Sequence, residues 1–216
     1  MHQTLYLVRH AQCIVKPALG FPGWPLSAVG VRQAEQLVDL LGPLGIAQVF
    51  SSPFARAIAT AMPFAQKHAL DILVIDDLRE RRIVNDGRHP SDEVWCKSWE
   101  DFTFAPPGCE RSVTAQSRIC RAIGEIAQKA PGTSAIFTHG NILGLFLNSL
   151  ASSFGRKEAE TLTNPDVLRI EWSDAGFRWD RYFSLRGLER IVTQHRQTPR
   201  EEDPTAAGAR VGVGTK

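Results

Sequence analysis

Apolar and polar positions alternate along this chain in two rhythms. Short continuous apolar runs, Leu5-Tyr6-Leu7-Val8, Val49-Phe50, Ile72-Leu73-Val74-Ile75 and Ala135-Ile136-Phe137, have the length and character of strands in a parallel sheet. Between them the spacing turns helical. Val31, Ala34, Val38 and Leu41 fall along one face of a helix capped by Ser27, which Gly42-Pro43 should stop. Ser52-Pro53 reads as the start of a second helix, with Ser as cap and Pro at the first helical position, placing Arg56 in its first turns. Longer helices are expected over about 112–129 and 142–152, and residues 167–172 and 178–183 alternate across Asp174-Ala175-Gly176 as a β-hairpin should. Residues 78–108 show no clean period. Trp95, Trp99, Phe102 and Phe104 there would either cover a site as a lid or pack a satellite core, with core the better reading.

This order of elements predicts an α/β fold: a three-layer sandwich whose mostly parallel central sheet is flanked by helices, with a ligand site at the carboxyl ends of the strands. One domain is expected over residues 1–197, with about 81–107 as a lid or insertion. The stretch 198–216, made of Pro, Gly, Ala and charge, is expected to be a flexible tail.

Composition narrows the picture. A chain of 216 residues with 43% hydrophobic content can bury one full core, or at most two small ones. A net charge of +2 is too mild to argue for nucleic acid or an anionic membrane as partner. Cys13, Cys96, Cys109 and Cys120 form no CxxC pair and no zinc-ligand spacing, and read as reduced thiols. No apolar run approaches the ~20 residues of a membrane span, and Arg9-His10 interrupts the N-terminal run, so no signal peptide is expected. A cytoplasmic protein is the expectation.

The candidate chemistry sits where strands end. Arg9-His10 follows the first strand, Arg56 lies just past the second, and His139 ends the run Ala135–Thr138. Strand ends distant in sequence converge on one crevice in such folds. A guanidinium beside an imidazole suits an oxyanion, with the imidazole free to act as nucleophile. Arg9-His10 alone could equally be two polar residues at a strand end. A two-histidine, one-carboxylate metal triad of His10, His139 and Glu80 is the chemical rival; Arg9 and Arg56 argue against it, because fixed positive charges repel a dication.

The full set of motifs resembles the histidine phosphatase (phosphoglycerate mutase-like) superfamily. Leu7-Val8-Arg9-His10-Ala11-Gln12 looks like its opening motif, with Ala11 where Gly is commoner. Pro25-Leu26-Ser27-Ala28-Val29-Gly30-Val31-Arg32-Gln33-Ala34 is similar to its next helix start, and Ser51-Ser52-Pro53-Phe54-Ala55-Arg56-Ala57 to its second arginine motif. Leu78-Arg79-Glu80 resembles the acid-base segment, Phe137-Thr138-His139-Gly140 the second histidine, and residues 108–118, more faintly, a further segment.

The resemblance implies roles. His10 would be the nucleophile that becomes phosphohistidine. Arg9, Arg56 and His139, with Gly140, would hold the phosphoryl oxygens, and Glu80 would give and take the proton. Neither metal nor cofactor is implied. The expected partner is a small-molecule phosphate ester, and oligomeric state stays open. The implied activity is a phosphomonoester phosphatase acting through phosphohistidine; the alternatives are mutase-type phosphoryl transfer and a catalytically silent phosphate-binding module. The chain departs from the family pattern where Ile83-Val84 replace an expected glycine, where Asp86-Gly87 stands off-register, and at Gly23, commonly Asp. Asp86 is the reserve candidate for the acid. Arg79, Arg81, Arg82 and Arg88 would meet a second anionic group or form a solvated basic face. His2, His68, His89, His195 and Lys16 are expected at the surface, and Cys13 is expected to have no chemical role.

Overall fold

Strand β1 (His2–Arg9) runs through a six-stranded sheet of order β3-β2-β4-β1-β5-β6. The computed structural model describes residues 2–83, 90–130, 132–181 and 183–193; the expected tail, Asp86-Gly87, Arg88, His89 and His195 lie outside them. The other strands are β2 (Ile46–Ser51), β3 (Ile72–Val74), β4 (Thr133–Thr138), β5 (Asp166–Ser173) and β6 (Gly176–Asp180). β1, β4, β2 and β3 are mutually parallel, while β5 runs antiparallel to β1 and forms the expected hairpin with β6.

The helices are α1 (Ala28–Leu41), α2 (Ala55–Lys67), α3 (Asp92–Glu100), α4 (Ser112–Lys129), α5 (Gly140–Leu150), α6 (Arg156–Thr161) and α7 (Leu188–Thr193). The two-residue period of β1 decides the layers. Leu5 and Leu7 point into a core shared with Ile119 and Ile123 of α4 and Leu143 and Phe146 of α5. Tyr6 and Val8 point into the opposite core, with Leu37 and Leu41 of α1 and Phe64 of α2. Burying a Leu or Val side chain completely is worth about 1.5–3 kcal/mol, and Leu5, Leu7 and Val8 are all fully buried. The three-layer α/β sandwich is therefore as expected.

Three local expectations need correcting. Val31 is 47% exposed; the buried face of α1 is Ala34, Leu37, Val38 and Leu41, with Gly30 and Gln33 at its start. α2 begins at Ala55 and not at Pro53, because Ser52 still follows the sheet, its N–H donating to Phe137 O at 2.9 Å. α5 begins at Gly140, two residues early, because the Glu80 carboxylate accepts the Asn141 and Ile142 N–H groups at 3.1 and 3.0 Å. In the unreadable stretch, Ser91 caps α3 by accepting the N–H of Val94 at 3.4 Å. Trp99 and Phe102 pack against the α4–α5 core, as the core reading has it, whereas Trp95 lines the cavity described below. No helix among the described residues is long and apolar enough to cross a membrane. All four cysteines are free.

Candidate active site

Sheet register builds this site. Arg9 of β1 pairs with Thr138 of β4, and Ser51 of β2 pairs with Phe137, so three parallel strands end at one level. The next residues, His10, His139 and Ser52, must then be neighbours. His10 N donates to Thr138 O at 3.0 Å, and the His10 and His139 rings meet edge-on with centroids 5.1 Å apart. The segment after β3 is tied to the same level by Thr138 Oγ1, which donates to Leu78 O at 2.7 Å and so places Glu80 over the start of α5.

Hydrogen-bond accounting fixes the state of His10. Its Nδ1 lies 2.7 Å from the carbonyl oxygen of Ala11, which can only accept. Nδ1 therefore carries the proton, and Nε2 keeps its lone pair, into which Arg56 Nε donates at 3.1 Å. The Asn164 amide donates to His10 O at 2.7 Å, and Gln33 ties the loops together by accepting Gln12 N at 2.9 Å and donating to Asn164 O at 3.0 Å. Burial pushes the His10 imidazole well below its ordinary 6.5, and the charges of Arg56 and then Arg9 push it further, against the opposing Ala11 carbonyl. His10 is a neutral imidazole with an unprotonated Nε2.

Two guanidiniums flank it. Arg56 is 2% exposed, donates from Nη1 to Phe21 O at 2.8 Å, and lies against the edge-to-face pair of Phe21 and Phe54, 4.7 and 5.0 Å from their ring centroids. Such contacts favour a cation without neutralising it. Arg9 Nη1 donates to Leu162 O at 2.5 Å, its Nε is buried without a partner, and its strand neighbour across β5 is Asp166. Burial is the chief cause of the lowered pKa of both arginines. Gly140 leaves room for this Arg9 side chain: a Cβ at that position would stand 2.7 Å from both its Cζ and its Nε.

Arg9, His10, Arg56, Glu80 and Gly140 line one cavity of about 760 Å³. His139 does not; it is fully buried beside His10, with Nε2 2.7 Å from Ser52 Oγ and Nδ1 unpartnered. Glu80 holds its carboxylate against three backbone N–H groups, those of Arg81, Asn141 and Ile142. The donors of the rival metal triad do not converge: both ring nitrogens of His10 are engaged and Nε2 of His139 faces Ser52. Among the described residues no group of three or more His, Cys, Asp or Glu side chains is placed to hold a metal ion. His2, His68 and Lys16 are exposed, as expected.

Sequence reasoning missed several participants. Ser52 reads as a helix cap, yet its hydroxyl meets His139. Asn164 carries no local signal, and Gln33 is marked only as part of the helix-start motif, because the partners of both lie far off in sequence. Arg81 reads as one arginine of four, yet it is 1% exposed. Arg79, by contrast, pairs with Asp76 and Asp77, and Arg82 is exposed and donates to Gly108 O at 2.7 Å.

The sequence profile of the histidine phosphatase superfamily (branch 1) matches residues 5–184. The chain belongs to that superfamily. A probable phosphoglycerate mutase GpmB of Proteus mirabilis is 28% identical over 185 residues, covering 79% of this chain and 86% of the relative. Among solved structures, a phosphoglycerate mutase from Bacillus anthracis superposes with a TM-score of 0.72 at 21% identity, covering 91% of this chain and 97% of its own. A mycobacterial glucosyl-3-phosphoglycerate phosphatase gives 0.67 at 20% identity, covering 83% and 98%. At these identities the structural likeness speaks for the fold, and branch 1 membership rests on the profile.

Proposed function

We propose that this histidine phosphatase superfamily member is a metal-independent phosphomonoesterase that works through a phosphohistidine on His10. One observation carries the reading: Nδ1 of His10 donates to a carbonyl, so its unprotonated Nε2 accepts from Arg56 in a cavity that Arg9 also lines. Phosphoryl transfer spreads negative charge over the equatorial oxygens, and preorganised cationic donors are the main device for stabilising it. Arg56 Nε leaves Nε2 for a phosphoryl oxygen as the ester enters, which uncovers the nucleophile at the moment the electrophile arrives. Glu80 must enter the cycle protonated. Nε2 attacks phosphorus, and the P–O ester bond breaks as Glu80 gives its proton to the leaving oxygen. The resulting carboxylate then takes a proton from the water that attacks phosphorus, so that the P–N bond breaks, phosphate leaves and Glu80 is protonated again. The Nδ1 of His139, buried without a partner, supplies a further donor beside His10.

Mutase-type transfer is the second reading, favoured by the GpmB relative; it differs only in what receives the phosphoryl group. The test is to mix enzyme with ³²P-labelled ester and quench in alkali. Label should remain on the protein, survive alkali, be lost in mild acid and be absent from His10→Ala. Release of the trapped label as inorganic phosphate supports hydrolysis, and its transfer to added phosphoglycerate supports the mutase. A His10→Ala protein with normal turnover would overturn both. Chelators should leave the rate unchanged and vanadate should inhibit; a rate lost to chelator and restored by a divalent ion would return the site to the metal reading.

A further inference from the structure

Residues 108–118 take no part in the mechanism above, yet two of them, Glu110 and Arg118, brace the segment that carries Glu80 from both sides. Before Glu80, Arg118 of α4 donates from Nη1 to two main-chain carbonyls, those of Asp77 at 2.7 Å and Arg79 at 2.8 Å. After Glu80, the Glu110 main chain takes hold: its N–H donates to Arg82 O and its carbonyl accepts from Arg81 Nε, both at 2.9 Å. The two braces are one unit, because the Glu110 carboxylate accepts from Arg118 Nε at 2.7 Å and from Nη2 at 2.8 Å. Such a fork-to-fork pair fixes the plane of a guanidinium as well as its position, and here that plane aims Nη1 at the two carbonyls. Arg118 is 4% exposed, so water has little access to take over its bonds.

We propose that Arg118, held by Glu110, is a positioning residue for Glu80: the pair fixes the path of residues 77–82 and so sets where the Glu80 carboxyl meets the leaving oxygen. The inference rests on reading Glu80 as the general acid. A buried ion pair is a weak device for stability, since apolar residues of similar volume often serve as well. What this pair adds is direction. The N–H groups of Arg81, Asn141 and Ile142 orient the carboxyl end of Glu80, whereas Glu110 and Arg118 hold the main chain from which it extends. Proton transfer needs its donor within hydrogen-bond reach, and a displacement of about 1 Å can cost roughly 100-fold.

The test measures phosphoenzyme formation by rapid quench, from an alkyl phosphate and from p-nitrophenyl phosphate. The proteins are wild type, Arg118→Met, Arg118→Lys, Glu80→Gln and Glu80→Gln combined with Arg118→Met. The quantity read is the alkyl rate divided by the nitrophenyl rate, because damage to packing or to the phosphoryl site slows both esters and cancels. Arg118→Met should lower this ratio roughly 10- to 100-fold. Arg118→Lys keeps a charge for Glu110 but cannot also reach both carbonyls, and should recover part of it. With Glu80→Gln already present, Arg118→Met should change the ratio no further, since a residue that acts through Glu80 has nothing left to position. Should Arg118→Met not fold, because it strands the Glu110 carboxylate, adding Glu110→Gln removes that charge and reads the same ratio. A ratio that falls with Glu80→Gln but not with Arg118→Met, or that falls again in the combined variant, overturns the positioning role and leaves the acid reading standing. A ratio that Glu80→Gln itself leaves unchanged overturns both.

Discussion

Ser52 Oγ lies 2.7 Å from Nε2 of His139, and this contact decides which way His139 presents its proton. Ser52 Oγ already accepts the Phe54 N–H at 3.2 Å, so its own hydrogen is available for Nε2. With Ser52 donating, His139 carries its proton on the unpartnered Nδ1, the donor that the proposed mechanism places beside His10. With the opposite tautomer the buried Ser52 hydrogen would lack an acceptor and Nδ1 would present a lone pair.

Ser52→Ala should therefore weaken catalysis through His139. A buried partner left unsatisfied costs about 1–3 kcal/mol; expressed in the transition state, that is about 5- to 150-fold in kcat/KM. Ser52→Thr keeps the hydroxyl and should recover most of the rate. Equal losses in both variants, matched by equal falls in Tm, would mean that Ser52 serves packing alone.

The depressed imidazoles set a pH dependence of stability. His10 and His139 are both held well below the ordinary 6.5, chiefly by burial and then by Arg56. The unfolded chain takes up protons near 6.5 while the folded protein does not, so the stability they contribute is present above 6.5 and is lost as pH falls below it. Each group removes up to about 1.4 kcal/mol per pH unit in that window. Burial raises the Asp166 carboxyl and works in the opposite sense, but only at the lower pH of carboxylates. Melting curves in phosphate-free buffer should show Tm falling below pH 6.5, with a shallower slope in His139→Asn. A flat profile would contradict the buried neutral pair.

Gly140 offers a separate handle on Arg9. A Cβ at 140 would stand 2.7 Å from its guanidinium carbon, and the yielding atoms are the far end of a flexible side chain. The fold should tolerate Gly140→Ala with a small change in Tm, while Arg9 swings away from the proposed phosphoryl site. Inhibition by vanadate should weaken about tenfold, the scale of one charge-assisted hydrogen bond. Undiminished vanadate inhibition would show that Arg9 does not hold the oxyanion.

What the sequence made legible were features with a local rule behind them. The apolar run ahead of Arg9, the strand ahead of His139 and the extent of α4 each follow from periodicity within one segment. Register did the rest, because parallel strands that end together bring His10, His139 and Ser52 together without further information. Residues whose meaning depends on distant partners were opaque. Gln33 stands in the helix-start motif, but that it ties Gln12 to Asn164 appears only once the three are seen together. Arg81 shares its composition and surroundings with Arg79 and Arg82, and burial alone separates them. Ser52 has the sequence context of a helix cap, and the helix simply starts later.

Glu80 is the member of the site whose role needs the most specific test. Its carboxylate holds the start of α5, so Glu80→Gln must be read against a structural cost. The glutamine keeps one acceptor oxygen, loses the other, and sets an NH₂ against a backbone N–H, which should lower stability by about 1–3 kcal/mol. That cost is the same whichever ester is bound. General acid catalysis, by contrast, depends on the leaving group: an alkoxide is strongly basic and needs its proton early, whereas p-nitrophenolate leaves unaided. Positioned acid catalysis contributes about 10²–10⁴-fold, so Glu80→Gln should slow phosphoenzyme formation from an alkyl phosphate by about that factor and from p-nitrophenyl phosphate far less. In the proposed mechanism dephosphorylation would use the same carboxylate to activate water, so burst rates and not steady-state turnover must be compared. Equal slowing of the burst for both esters would assign Glu80 to the α5 cap alone, and Asp86 would be the next acid to mutate.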